Sequence, residues 1–260
     1  MRTSAIYAIY AICTICTICA SVLLAMSVTP SAAQTYPARP VRMIVANGPG
    51  SAPDVVARLL GAKLAESWGQ NVVIDNRPGA TGLIAAETLA RSAPDGHTLF
   101  LSTMTQLIST LMYQRYMLAT EFAPVTLVGT TPFALVVSAS LPVFVASGKV
   151  RPLGVTYQKP TKLAPGLPPV ADTLPGFELL GWYGMNVALR TPPEIVTRIN
   201  AELVKALKNP ELQERLFTVG AEAVGSSPAE FATFLQKQTE HWAKILHDSG
   251  ARSEKAGAGG

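Results

Sequence analysis

Cysteine is absent beyond residue 19. Cys13, Cys16 and Cys19 all fall in "CTICTIC", inside an apolar run from Ala5 to Val28. C-x-x-C spacing lets thiolates share a zinc ion, but in this apolar setting the three read as small apolar residues. The rest of the chain therefore has no disulfide and no thiol chemistry. Histidine is as scarce: His97 sits in "PDGHTLF", a turn or strand-surface setting, and His241 and His247 stand at i and i+6. That is not the i, i+4 spacing that converges on a metal. No Ser–His–acid set and no carboxylate pair has a local motif behind it. No catalytic residue, metal or cofactor is expected. Lysine and arginine outnumber aspartate and glutamate only 21 to 17, without a clustered stripe, which argues against nucleic acid as a partner.

What is present starts at the N-terminus. Met1 and Arg2 precede the apolar run, and "TPSAAQ" follows, with Ser31 and Ala33 at the −3 and −1 positions of a cleavage site before Gln34. Residues 1–33 read as a cleaved secretory signal peptide. The run is long for such a peptide, so an uncleaved membrane anchor stays open as the alternative.

Beyond Ala33 the periodicity alternates. "VRMIVA" (Val41–Ala46) predicts a buried strand, and Pro53–Trp68 a helix with Val56, Leu59, Leu60, Leu64 and Trp68 on one face. Ser51 is its expected cap and Gly69 its stop. "NVVIDN" predicts a second strand, Leu83–Arg91 a helix, His97–Thr103 a third strand and Gln106–Tyr113 a short helix. The β-α-β-α-β order with short connections predicts a parallel sheet covered by helices. "PFALVVSAS" (Pro132–Ser140) reads as a long buried strand leaving this unit, followed by a proline-rich stretch in which only "VRPLGVTY" and "FELLGWYG" look strand-like. Three helices close the chain: one opened by "TPPE" (Thr191–Glu194) read as a capping box, one opened at Asn209–Pro210, and one opened by "SPAE" (Ser227–Glu230).

The stretch "VANGPGSAPDVVARLL" (Val45–Leu60) holds the chemical question. Strand, glycine loop, helix and a strand ending in Asp75 is the layout of a dinucleotide fold. However, the third glycine of that fingerprint is missing, Pro49 removes a loop N–H, and no G-K-[ST] follows. A helix start with free N–H groups suits any small anion.

At this point the motifs carry a resemblance. "YPARPVRMIV", "GPGSAPDVVARLL", "WGQNVVIDNRPGATG", "APDGHTLFLST", "FAPVTLV" and "LPGFELLGWYG…TPPEIVTRINAELVKAL" resemble, in order and over nearly the whole chain after residue 33, the substrate-binding proteins of tripartite tricarboxylate transporters, the Bug receptors. The resemblance implies an α/β fold like type II periplasmic binding proteins, with two lobes around a cleft. It implies a non-enzymatic periplasmic receptor that binds a small carboxylate: a di- or tricarboxylate, an acidic amino acid or an aromatic acid. The membrane subunits of a tripartite transporter are the implied partners. The implied ligand-binding residues are Gly48, Gly50, Ser51, Ala52 and Asp54 in the first loop, Thr103, Thr105 and Gln106 in the second, and Tyr183. Asp54 is ill suited to a bare anion, so capping of backbone N–H groups stands beside a ligand role for it. Core packing stands beside one for Trp182 and Tyr183.

Four departures from the family pattern matter. Ser51 replaces a usual glycine, Pro53 a usual hydroxyl residue, and Asn47 a common aromatic. Moreover, Leu141–Pro142–Val143 runs almost directly into "FVASGKVRPLGVTY", where the family carries most of a second lobe and a third ligand-facing loop. The expected organisation is a first lobe from 34–131 and 184–260, with crossover strands and a truncated second lobe at 132–183. Such a loss predicts impaired binding. A receptor remnant acting as a sensor or interaction protein, and a nucleotide-binding α/β enzyme, stay open as alternatives.

Overall fold

The computed structural model describes residues 36–137, 151–159 and 161–251. The expected signal peptide with its cysteines, the end of the Pro132–Ser140 run and the "KAGAGG" tail lie outside the described residues.

Six strands form the main sheet: β1 (Val41–Val45), β2 (Val72–Asn76), β3 (Thr98–Thr103), β4 (Phe122–Pro132), β7 (Leu180–Ala188) and β8 (Glu222–Ala223), in the order β2-β1-β3-β7-β4-β8. β1 pairs parallel with both β2 and β3, as the alternating pattern predicts. β7 returns antiparallel between β3 and β4. The carboxyl ends of β1, β3 and β4 and the amino end of β7 therefore share one edge.

Each central strand is covered on both faces, which explains why they read as continuous apolar runs. On one face Met43, Leu101, Tyr183 and Met185 pack against α1 (Ala52–Trp68), α4 (Pro193–Leu207) and α5 (Pro210–Thr218). On the other, Ile44, Phe100 and Trp182 meet α2 (Leu83–Ala90), α3 (Met104–Tyr113) and α6 (Pro228–Asp248). Adjacent residues such as Trp182 and Tyr183 go to opposite cores because strand side chains alternate. Gly184 admits the buried Phe231 of α6, whose ring occupies the space a Cβ at this position would take.

The helix ends follow their sequence signals in most cases. Gly69 stops α1 in the left-handed conformation (φ 64°). The Asn209 side chain caps α5, and Ser227 and Glu230 form a reciprocal capping box on α6. The expected box at Thr191–Glu194 does not form. Pro192 occupies the cap position without a side-chain bond, and the Thr191 hydroxyl donates instead to the Ala188 carbonyl at 2.7 Å.

The long buried strand expected at Pro132–Ser140 is also corrected. β4 ends at Pro132, and a short β5 (Ala134–Val137) pairs antiparallel with β6 (Arg151–Val155) in a separate two-stranded sheet. Leu135 on β5 is 48% exposed. Thr156 makes the break: its N–H donates to the Phe133 carbonyl at 2.9 Å and its hydroxyl to the Leu179 carbonyl at 2.6 Å. That junction ties both crossover strands to one point. Leu180–Tyr183, which the sequence reading assigned to the crossover segment, pair with β4 inside the main sheet. The small sheet is what stands in place of a second lobe.

Candidate functional site

Val45 is fully buried at the end of β1, and the chain leaves the sheet through Asn47 into Gly48–Pro49–Gly50. Gly50 has φ +80°, a conformation L side chains resist, and its N–H donates to Asp54 Oδ2 at 2.8 Å. Arg58 Nε donates to the same oxygen at 2.9 Å, and Asn76 Nδ2 to Asp54 Oδ1 at 2.9 Å. Burial works to raise the Asp54 carboxyl, but the hydrogen bonds from Arg58, Gly50 and Asn76 outweigh it and hold it below the usual carboxylate range. Asp54 is thus an ionised, saturated clasp for the loop, the capping role weighed for it from sequence.

Ser51 occupies the cap position of α1 but does not cap it. Its hydroxyl donates to the Gly48 carbonyl at 2.7 Å, and no side chain bonds the first-turn N–H groups. Pro53 has no N–H to give. The amides of Ala52 and Asp54 thus form the uncapped positive end of a 17-residue helix.

The second loop is built differently. Thr103 ends β3 and caps α3, accepting from the Thr105 N–H at 3.2 Å. Gln106 turns inward: its Oε1 accepts from the Thr103 N–H at 2.8 Å and from the Thr103 hydroxyl at 2.6 Å. Thr105 is exposed.

These loops meet the sheet edge at a cleft of about 150 Å³ lined by Asn47, Pro53, Thr103, Met104, Thr105, Thr131, Phe133, Gly181, Trp182 and Tyr183. Thr103, Thr105 and Tyr183 of the candidate residues line it. Gly48, Gly50, Ser51 and Ala52 lie in the loop between its lining residues Asn47 and Pro53, while Asp54 and Gln106 are committed to internal bonds. Thr131, Phe133 and Gly181 were not singled out from sequence; Phe133 in particular reads as one more apolar residue of a strand, although it is 40% exposed. The cleft lies outside the carboxyl ends of parallel strands, where open α/β sheets bind ligands.

Among the described residues its lining holds no ionisable carboxylate, lysine, arginine or histidine. Tyr183 is the one titratable side chain. Burial pushes its phenol up, so it is neutral at physiological pH. Trp182 packs edge-on against Phe231 and Phe234, with centroids 6.2 and 5.6 Å away, so its expected core role holds. Its indole N–H and the Asn47 Oδ1 are both buried without a hydrogen-bond partner.

Two other features are excluded by their chemistry. A larger groove, about 910 Å³, lies between the last turns of α3 and α6; helix C-termini disfavour an anion there. Asp75, the residue a dinucleotide reading would give to a ribose, is held by Arg42 Nε at 2.6 Å and Arg77 Nε at 3.0 Å. Among the described residues no group of three His, Cys, Asp or Glu side chains could hold a metal ion.

The sequence profile described as "Tripartite tricarboxylate transporter family receptor" matches residues 56–144 and 143–251. The two stretches meet at the point where the sequence reading places the loss. A protein from the tcbD-tcbE intergenic region of Pseudomonas sp. (strain P51) is 28% identical over 309 aligned positions, covering 87% of this chain and 92% of the relative. Those positions outnumber the 260 residues here, so the chain is shorter than this relative. BugT of Bordetella pertussis is 25% identical over 86% of this chain and 93% of its own length. Among solved structures, an R. palustris protein with adipate superposes with a TM-score of 0.72 at 26% identity, covering 83% of this chain and 98% of that one. The periplasmic binding protein BugD gives 0.73 at 23% identity, over 84% and 99%. The architecture is that of a type II periplasmic binding protein with a truncated second lobe.

Proposed function

Because the chain belongs to the tripartite tricarboxylate transporter receptor family, we propose that it is an extracytoplasmic solute receptor that binds a small carboxylate and presents it to membrane subunits of a tripartite transporter. The supporting observation is convergence. The uncapped start of α1, the Thr103–Thr105 turn at the start of α3 and the Trp182–Tyr183 pair border one cleft without an ionised side chain. Neutral amide and hydroxyl donors at two helix N-termini stabilise a carboxylate without a desolvated counter-charge. The R. palustris relative solved with adipate supports the same ligand class. Gly48, Gly50, Ser51 and Ala52 would shape the loop and Thr103 would hold the start of α3 through Gln106, with Thr105 and Tyr183 contacting the acid. Export through residues 1–33 would place the receptor in the periplasm.

The truncation bears on affinity. A complete receptor closes over its ligand and surrounds the charge with donors. With one wall missing, two or three charge-assisted hydrogen bonds at ~1.5–3 kcal/mol each are lost, weakening binding by about 10²–10⁶-fold. The small β5–β6 sheet favours a second reading, a receptor remnant that keeps its transporter or sensor contact without useful affinity.

Calorimetric titration of the purified protein with a panel of carboxylic acids tests both. Binding that disappears in a Thr105→Val variant supports the receptor. Absence of binding to every acid at millimolar concentration, with retained capture of transporter membrane subunits, overturns it in favour of the remnant.

A further inference from the structure

The lining of the cleft also bears on which acid it takes. We infer that it selects an acid with a single carboxylate and a flat apolar body, an arylalkyl monocarboxylate, over di- and tricarboxylates. This rests on the carboxylate-receptor reading above.

The argument begins with what a second carboxylate would meet. Beyond the Asn47–Pro53 loop and the Thr103–Thr105 turn, the lining consists of Met104, Thr131, Phe133, Gly181, Trp182 and Tyr183. None of these carries positive charge. Among the described side chains nearby, Arg58 is committed to Asp54, and Arg42 and Arg77 to Asp75. A distal carboxylate gains no counter-charge at this surface, and pressing it against apolar side chains strips its water without return.

An apolar body is treated differently. The Phe133 ring lies directly on Gly181, where an added Cβ would stand 3.0 Å from the ring Cζ and 3.2 Å from Cε2. Only the absence of a side chain there lets the ring settle onto β7. The backbone of Phe133 is pinned at both polar groups by Thr156: its N–H donates to Thr156 Oγ1 at 3.0 Å, and its carbonyl accepts from the Thr156 N–H at 2.9 Å. The result is an aromatic residue with a pinned backbone whose ring lies against Gly181 yet is 40% exposed, in the same cleft as the proposed anion donors. Covering it with a second ring removes apolar area from water and adds aromatic contact.

Calorimetry with 3-phenylpropionate, hexanoate, adipate and 3-phenylpropionamide separates the outcomes. We expect 3-phenylpropionate to bind about tenfold more tightly than adipate, from ring burial, and the uncharged amide to bind more weakly than either acid. Phe133→Ala should weaken 3-phenylpropionate far more than adipate and so remove that advantage. Phe133→Leu, which keeps an apolar side chain at this exposed position, should weaken 3-phenylpropionate more than hexanoate. Adipate binding as tightly as 3-phenylpropionate, with neither substitution changing the order, overturns the selectivity and leaves the receptor reading standing. Failure of every acid to bind overturns both.

Discussion

Asn76, the last residue of β2, donates from one amide nitrogen to both Asp54 Oδ1 and the Asn47 carbonyl, each at 2.9 Å. It thereby holds the glycine loop after β1 closed against the first turn of α1, and a side chain from the neighbouring strand sets the shape of that loop. Asp54, for which the sequence leaves a ligand role and backbone capping both open, is the hub of that clasp.

Asp54→Asn should therefore destabilise the protein by about 2 kcal/mol at neutral pH, because charge-assisted bonds to Arg58 and Gly50 are weakened. The Asp54 carboxyl is held below its ordinary value of 3.8, so its contribution is full above that value and fades as pH falls through the folded one. Chemical denaturation at pH 7 and at pH 3 should show the parent–variant gap shrinking in acid. An unchanged gap would rule out the clasp.

Asn47→Asp puts a carboxylate of nearly the same shape into the cleft lining. Its charge should repel an acid ligand and lower affinity about tenfold or more, and because the replaced Oδ1 is buried the melting temperature should fall as well. The comparison is a titration of both proteins with one acid, and equal affinities would place the ligand elsewhere.

Gly184→Ala should cost about 2 kcal/mol by overpacking, because the new methyl overlaps the Phe231 ring in the core. Phe231→Leu in the same chain should return part of the loss. Urea unfolding of the single and double variants measures the coupling.

Ser227→Ala removes one half of the capping box on α6, where Ser227 Oγ accepts from the Glu230 N–H at 3.2 Å. The expected cost is about 1 kcal/mol, a fall of roughly 2–4 °C in Tm for a chain of this size. A scanning thermal melt suffices to check it.

The parallel core β1–α1–β2–α2–β3 is legible in the sequence because each strand is buried on both faces and each helix has a one-sided apolar stripe. β4 is not. Pro124, Gly129 and Pro132 interrupt it and threonines dilute it, and its register slips at Pro124/Thr126 and Leu127/Gly129; strand propensity fails where bulges absorb the breakers. Thr191–Glu194 satisfies the capping pattern on paper, yet Thr191 bonds Ala188 behind it. In the cleft, Thr103 and Thr105 are visible as hydroxyls after a strand. Phe133 is hidden because nothing local shows that its ring will rest on Gly181, a partner far along the chain that only the return of β7 supplies.

The two short strands β5 and β6 have a further consequence for signalling. A full receptor reports its cargo by changing outline: the halves swing together and the membrane machinery reads the shut form. Among the described residues, that two-stranded sheet offers no second core to swing. Under the receptor reading, the loaded and empty forms should then present the same silhouette to a membrane partner, which would have to sense the acid itself or respond to the protein whether it carries one or not.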